Sequence, residues 1–226
     1  MQIIEIYKSL QGESSFAGLP CVFVRLAGCN LRCTWCDSEY TFKGGEQRSQ
    51  EEVLAEVARL SPNGGLVEIT GGEPMLHEKE VVPLMLELLA RGYCVLLETS
   101  GERPLDGVPQ QVHKIVDVKC PASGESGTFR TENLATLTLN DEVKFVIADH
   151  GDYEFAREFT RTNHLETLTN VIFSPAFRKD ARGSRDAANC LVDPKDMAEW
   201  IVADGLEVRL GLQIHKFIWE PQVRGV

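Results

Sequence analysis

Gly28-Cys29-Asn30-Leu31-Arg32-Cys33-Thr34-Trp35-Cys36-Asp37 sets three cysteines in a C-x3-C-x2-C spacing. A [4Fe–4S] cluster ordinarily takes four thiolates, one per iron. Three from one short loop leave one iron open to a substrate or cofactor, by the logic that separates catalytic from structural zinc. A zinc knuckle would need a fourth ligand from a second C-x2-C or H-x3-H element, and Cys21, Cys94, Cys120 and Cys190 are scattered singly. A disulfide framework suits an even count in a secreted chain, whereas this chain has seven cysteines. The triplet alone favours a reactive cluster and leaves zinc open.

Leu66-Val67-Glu68-Ile69-Thr70 is apolar and β-branched, as a buried strand is, and runs into Gly71-Gly72-Glu73-Pro74. Glycines at a strand end allow close approach of the backbone to a neighbour or ligand. Alone, Gly-Gly-Glu-Pro reads as a turn. After a C-x3-C-x2-C loop the pair resembles the radical S-adenosylmethionine (SAM) superfamily. That resemblance implies that the open iron chelates the amino and carboxylate groups of SAM, with Gly71, Gly72 and Glu73 at its methionine part.

The chain of 226 residues is expected to form one domain, 1–226. Its net charge of −11 argues against a nucleic-acid surface, which needs clustered Lys and Arg. No apolar run is long enough to span a bilayer. The start, Met1 to Lys8, lacks the basic-then-apolar layout of a signal peptide, so a cytoplasmic location is expected.

Strands are predicted at Ile3–Tyr7, Cys21–Ala27, Leu66–Thr70, Cys94–Thr99, Lys114–Val118, Val143–Ile147, Asn170–Ser174 and Glu207–Gln213. Helices are predicted at Gln50–Leu60, Val82–Arg91, Glu154–His164 and Pro194–Ala203. Ser49 with Glu52 forms a capping-box signature, and Asp193-Pro194 a cap with proline at the first helical position. The alternation, with few helices between Glu98 and Val143, predicts an α/β fold: an incomplete barrel of mainly parallel strands with a reduced helix count. Chemistry then belongs at the strands' C-terminal ends. Ala122–Arg130 reads as an exposed loop and Phe177–Asn189 as a lid or a solvated connection.

Ser9-Leu10-Gln11-Gly12-Glu13-Ser14, Phe23 to Asn30, Trp35 to Ser38, and the tail Leu212-Gln213-Ile214-His215-Lys216-Phe217-Ile218-Trp219 together resemble the 7-carboxy-7-deazaguanine synthase family from Ile3 to Trp219. The resemblance implies a radical ring contraction of 6-carboxy-5,6,7,8-tetrahydropterin, with loss of ammonia, in 7-deazapurine (queuosine) synthesis. It implies a [4Fe–4S] cluster on Cys29, Cys33 and Cys36, SAM as a recycled cofactor, and Mg2+ touching Ser38. SAM contacts would come from Trp35, Cys36, Asp37, Gly71, Gly72, Glu73, Lys119, Lys144, Phe145, Val146 and Ile147. Substrate contacts would come from Leu10, Gln11, Gly12, Glu13, Arg25, Thr70 and His215. Each has a bland alternative: a buried ion-paired Arg25, a turn at Ser38, a satisfied polar His215. The remaining four cysteines read as packed thiols. An external donor of flavodoxin or ferredoxin type and a homodimer are implied too. The tail extends past His215, so the Val226 carboxylate or Glu220 is expected to reach the substrate. The competing functions are an activase of glycyl-radical enzymes and, from another class, an iron–sulfur electron-transfer module. The second would need a fourth cysteine ligand.

Overall fold

In the computed structural model, residues 1–180, 186–221 and 223–226 are described. The chain runs β1 (Gln2–Leu10), β2 (Pro20–Leu26), β3 (Glu46–Gln47), α1 (Gln50–Leu60), β4 (Leu66–Gly71), α2 (Glu78–Ala90), β5 (Cys94–Thr99), β6 (His113–Asp117), β7 (Glu142–Ile147), α3 (His150–Thr162), α4 (Leu165–Leu168), β8 (Asn170–Pro175), α5 (Pro194–Asp204), β9 (Arg209–Leu210) and α6 (His215–Ile218). One sheet joins all nine strands in the order β3-β1-β2-β4-β5-β6-β7-β8-β9. From β2 to β9 every pairing is parallel. β1 instead runs antiparallel to both β2 and β3, covering the edge of the parallel sheet. The sheet stays open, an incomplete barrel as the sequence predicts. Among the described residues no helix is long and apolar enough to cross a membrane.

Alternation along the strands divides this sheet into two chemical faces. Val22, Val24, Val67, Ile69, Val95, Leu97, Val143, Phe145 and Ile147 are fully buried in the principal core. Their neighbours Phe23, Arg25, Glu68, Thr70, Glu98 and Lys144 line a cavity on the other face.

Helix boundaries follow their caps. Ser49 and Glu52 exchange both bonds of the capping box at the start of α1. Asp193 caps α5 by accepting from the Lys195 N–H, and Gly205 ends it in the left-handed region at φ +59°. α3 starts earlier than predicted because Asp149 is its cap, and it stops before His164, at φ +50°. α2 also starts earlier, carrying Pro83 inside it.

Three expectations need correction. Ala122–Arg130 is not simply exposed: Ser123 is buried and Phe129 packs edge-on to Phe159 with centroids 5.8 Å apart. The predicted last strand shrinks to Arg209–Leu210, and His215 opens a short helix instead of ending a strand. At the predicted lid, Phe177 is buried and bridges Cys190, with the Arg178 N–H donating to the Asn189 carbonyl. Residues 181–185 of that stretch lie outside the described residues.

Candidate active site

A cavity of about 310 Å³ opens over the C-terminal ends of the parallel strands. Cys29, Cys33, Cys36 and Trp35 line it beside Gly71 and Gly72. All seven cysteines are free thiols, and Cys21, Cys94, Cys120 and Cys190 are not in its wall. The loop is therefore left with three thiolates.

The two glycines are needed for packing of protein on protein. A Cβ on Gly72 would lie 2.2 Å from the Gly28 carbonyl oxygen and 2.8 Å from Cys29 Cβ. One on Gly71 would lie 2.6 Å from the Leu26 carbonyl oxygen. The β4 end thus presses against the start of the cysteine loop. Glu73 locks this contact. Its buried carboxylate accepts from the Met75 N–H, the Thr99 hydroxyl, and the Ser100 N–H and hydroxyl, at 2.6–3.0 Å. Its side chain ties the β4 end to the β5 end, while its backbone N–H donates to the Gly28 carbonyl at 2.8 Å.

The segment between β1 and β2 closes the far end. Gln11 Oε1 accepts from the N–H groups of Glu13 and Ser14, and its amide donates to Glu68 at 3.0 Å. The Ser15 hydroxyl and N–H donate to the buried Glu142. This pinning puts Leu10, Gln11, Gly12 and Glu13 in the cavity wall.

Charge dominates the interior. Lys144 Nζ sits 2.7 Å from Glu13 and 2.5 Å from Glu98. Glu68 and Asp117 also line the cavity, Asp117 holding Lys119 at 2.7 Å. One ammonium cannot neutralise so many carboxylates, and they divide. Burial pushes Glu98 up to about 8, against the pull of Lys144 and with the repulsion of Glu13 and Glu68. Burial likewise raises Glu68 to about 7 despite the Gln11 hydrogen bond. Glu13 goes the other way: Lys144 and His215 outweigh its burial and hold it at about 2.

Linkage gives this arrangement a measurable signature. Glu98 and Glu68 have raised folded-state values, so the stability they contribute is present below the ordinary carboxylate range and is lost as pH rises towards about 8. Glu13 acts oppositely, losing its contribution only as pH falls towards about 2. Glu98→Gln removes one proton site at nearly constant shape. Its melting temperature, relative to wild type, is expected to climb between pH 5 and pH 8. A difference that stays constant or shrinks over that range refutes the assignment of a protonated Glu98.

The tail completes the wall. Lys216 Nζ donates to Asp37 at 2.6 Å and to Gln213 at 3.0 Å, and the Gln213 amide donates to Glu13 at 2.8 Å. Burial works against ionisation of Asp37, yet the Lys216 ammonium and the Ser38 hydroxyl hold it well below the usual carboxylate range. His215 Nε2 lies 3.9 Å from Glu13, and burial lowers its basicity. A Cβ on Gly12 would sit 2.2 Å from the His215 ring, so only glycine admits that ring there.

Arg25, Ser38, Thr70, Lys119, Val146 and His215 all line the cavity. Arg25 also carries its bland reading, since Nε donates to Glu5 and Nη2 to the Tyr7 hydroxyl, both at 2.9 Å. Phe145 and Ile147 do not line the cavity. They alternate with Lys144 and Val146 along β7 and fall in the core. Glu220 is absent from the wall, whereas Val226 is in it. Sequence reasoning missed Glu68, Glu98, Asp117 and Lys216. The available signal was a charged residue set among apolar ones in β4, β5, β6 and the tail, with Lys114 a second one in β6.

Soft thiolate donors, one loop and a close-packed glycine strand end fit an iron–sulfur cluster that leaves one iron to a cofactor. A radical SAM superfamily model matches residues 24–162. The 7-carboxy-7-deazaguanine synthase of Koribacter versatilis is 69% identical over 100% of both chains. The chain belongs to the 7-carboxy-7-deazaguanine synthase family. The synthase of Chlorobaculum tepidum is 40% identical, covering 100% of this chain and 97% of its own. Among solved structures, QueE from Escherichia coli shares the fold at a TM-score of 0.72, with 24% identity over 93% of this chain and 92% of that one. Streptococcus suis SuiB bound to S-adenosylmethionine aligns at 0.57 and 11% identity, over 84% of this chain and 46% of its own. Membership brings a [4Fe–4S] cluster and SAM as cofactors, a small-molecule substrate and a reductant.

Proposed function

We propose that this chain converts 6-carboxy-5,6,7,8-tetrahydropterin to 7-carboxy-7-deazaguanine with release of ammonia. The observation that carries the reading is full-length 69% identity to a synthase of that name, together with a cavity whose wall joins the cysteine loop to a charged pocket. Cys29, Cys33 and Cys36 would hold the cluster, and Gly71, Gly72, Trp35 and Lys119 would flank SAM. Bound there, cluster and SAM supply the hydrogen abstraction that starts the reaction.

The chain's own residues orient the substrate and manage protons. Gln11, Gly12, Thr70 and His215 present polar groups to the pterin. Glu98, raised to about 8, faces it largely as a protonated hydrogen-bond donor, and Glu68, raised to about 7, exchanges its proton near neutrality. The segment between β1 and β2 and the tail exclude water from a reaction that generates reactive species. Ser38, whose hydroxyl donates to Asp37 at 2.8 Å, would offer one oxygen to Mg2+, a hard cation that takes oxygen ligands. We also assign to this reading a single domain, a homodimer, a flavodoxin- or ferredoxin-type donor and a cytoplasmic location.

The test is anaerobic incubation with substrate, SAM and a reductant, followed by product mass. Loss of ammonia from the substrate mass is expected, without any partner protein and more slowly without Mg2+. No such product, or a requirement for a partner protein as an activase would show, refutes the reading. Ser38→Ala should blunt the Mg2+ response, and light scattering on the loaded protein reads the oligomeric state.

A further inference from the structure

Tyr7 stands in the cavity wall and takes no part in the chemistry assigned so far. It lies on β1 opposite Phe23 of β2, and the two rings stack with centroids 5.0 Å apart and planes 15° apart. A cross-strand aromatic pair of this kind leaves the phenol little freedom. Its oxygen accepts from Arg25 Nη2 at 2.9 Å. Arg25 is held from behind, because its Nε donates to a Glu5 oxygen that also accepts from the Tyr40 hydroxyl at 2.8 Å. Glu5 lies outside the wall, whereas Arg25, Tyr7 and Tyr40 are in it. Arg25 also pairs in register with Thr70, one of the groups assigned to the pterin.

A phenol has one proton to donate, and a guanidinium has no lone pair to accept it. Tyr40 gives its proton to Glu5. The Tyr7 proton cannot go back to Arg25, and among the described residues no acceptor takes it. Burial outweighs the pull of Arg25 and raises the Tyr7 phenol above its ordinary value, so the proton stays on. The two Nη1 hydrogens of Arg25 likewise go to none of the described residues. Phenol and guanidinium thus set donors side by side in the wall, a match for an acceptor oxygen. Accepting from a cation also polarises the phenol, which strengthens its own donation.

We infer that Tyr7 is a further substrate-binding residue, its hydroxyl, aimed by Arg25, donating to the pterin oxygen that Arg25 meets. This rests on the function proposed above and deepens it. The acceptor is an oxygen of the pterin ring or of its carboxylate, and the same donor pair suits either. Phenylalanine at position 7 would keep the stack on Phe23 and lose the donor.

The test uses the cluster-loaded, SAM-bound protein and two probes, 6-carboxytetrahydropterin and tetrahydropterin lacking the carboxylate. Binding is measured anaerobically for wild type, Tyr7→Phe and a protein with 3-fluorotyrosine placed at position 7, alongside iron content and SAM affinity. Tyr7→Phe is expected to weaken the carboxylated probe by about threefold to tenfold, the range of a single hydrogen bond, with iron content and SAM affinity held. A loss confined to that probe assigns the carboxylate oxygen, and an equal loss for both assigns a ring oxygen. Fluorination makes the phenol a stronger donor and a weaker acceptor, so it should tighten the probe that Tyr7→Phe weakens. Binding that is unchanged in Tyr7→Phe overturns the inference. So does binding that is unchanged or looser with 3-fluorotyrosine, which would make Tyr7 only an acceptor bracing Arg25. Wild-type protein that binds neither pterin overturns the function proposed above, and this inference with it.

Discussion

Cys33→Ala should yield a protein without an intact four-iron cluster and without detectable SAM cleavage. The loop supplies three thiolates, and among the described residues the other cysteines are not in the cavity wall, so no substitute ligand stands nearby. Losing one of three leaves two irons without protein ligands, too few to retain the cluster during reduction. Cys190→Ala is the matched control. Cys190 is buried against Phe177, away from the loop, and its loss should leave the cluster untouched. Iron and sulfide per chain after anaerobic reconstitution read both variants. A full complement in Cys33→Ala would sink the ligand assignment.

The second large effect is expected at Lys144, whose side chain is 2% exposed between Glu13 and Glu98. Lys144→Met keeps the length of the side chain and removes its charge. Deleting one partner of a buried ion pair leaves uncompensated charge and costs about 3–5 kcal/mol. For a chain of this size that is a fall in melting temperature of roughly 10 °C. The sign of its pH dependence is fixed. Acid protonates the stranded carboxylates and relieves their repulsion, so the deficit should be smaller at pH 5 than at pH 8. Thermal unfolding at the two pH values decides it, and a deficit independent of pH would mean that Lys144 acts through packing alone.

Much of this fold is legible because parallel strands buried on both sides read as continuous apolar runs. Leu66-Val67-Glu68-Ile69-Thr70 is one, and the structure places β4 over those residues and Gly71. The cysteine loop is equally legible, because ligand spacing is local. What escaped depends on direction and distance. Treating Lys144 to Ile147 as one contact surface ignored the two-residue period that turns Phe145 and Ile147 into the core and Lys144 into the cavity. Glu68, Glu98 and Asp117 each interrupt an apolar run, and each points inward. That is the expected mark of a polar barrel interior, but only the assembled sheet gathers them around one cavity, Glu98 on Lys144, Asp117 on Lys119 and Glu68 on the Gln11 amide. Asp37 and Lys216 pair across 179 positions, a contact that no local pattern encodes. β9 shortened because the segment after Leu210 leaves the sheet to carry Gln213 and His215 into the site.

The reach of those contacts has a bearing on how the protein is made. Gln213 meets Glu13 across 200 residues, and Lys216 meets Asp37 across 179. At ribosomal rates of about 5–20 residues per second, Glu13 and Asp37 wait roughly 10–40 s after their own synthesis for those partners to emerge. During that interval the cysteine loop already exists, and the tail that will wall it in does not. A nascent chain stalled before residue 213 therefore presents an accessible trio of thiols with no finished pocket. Emergence of the segment that carries Gln213 and Lys216 ends that interval.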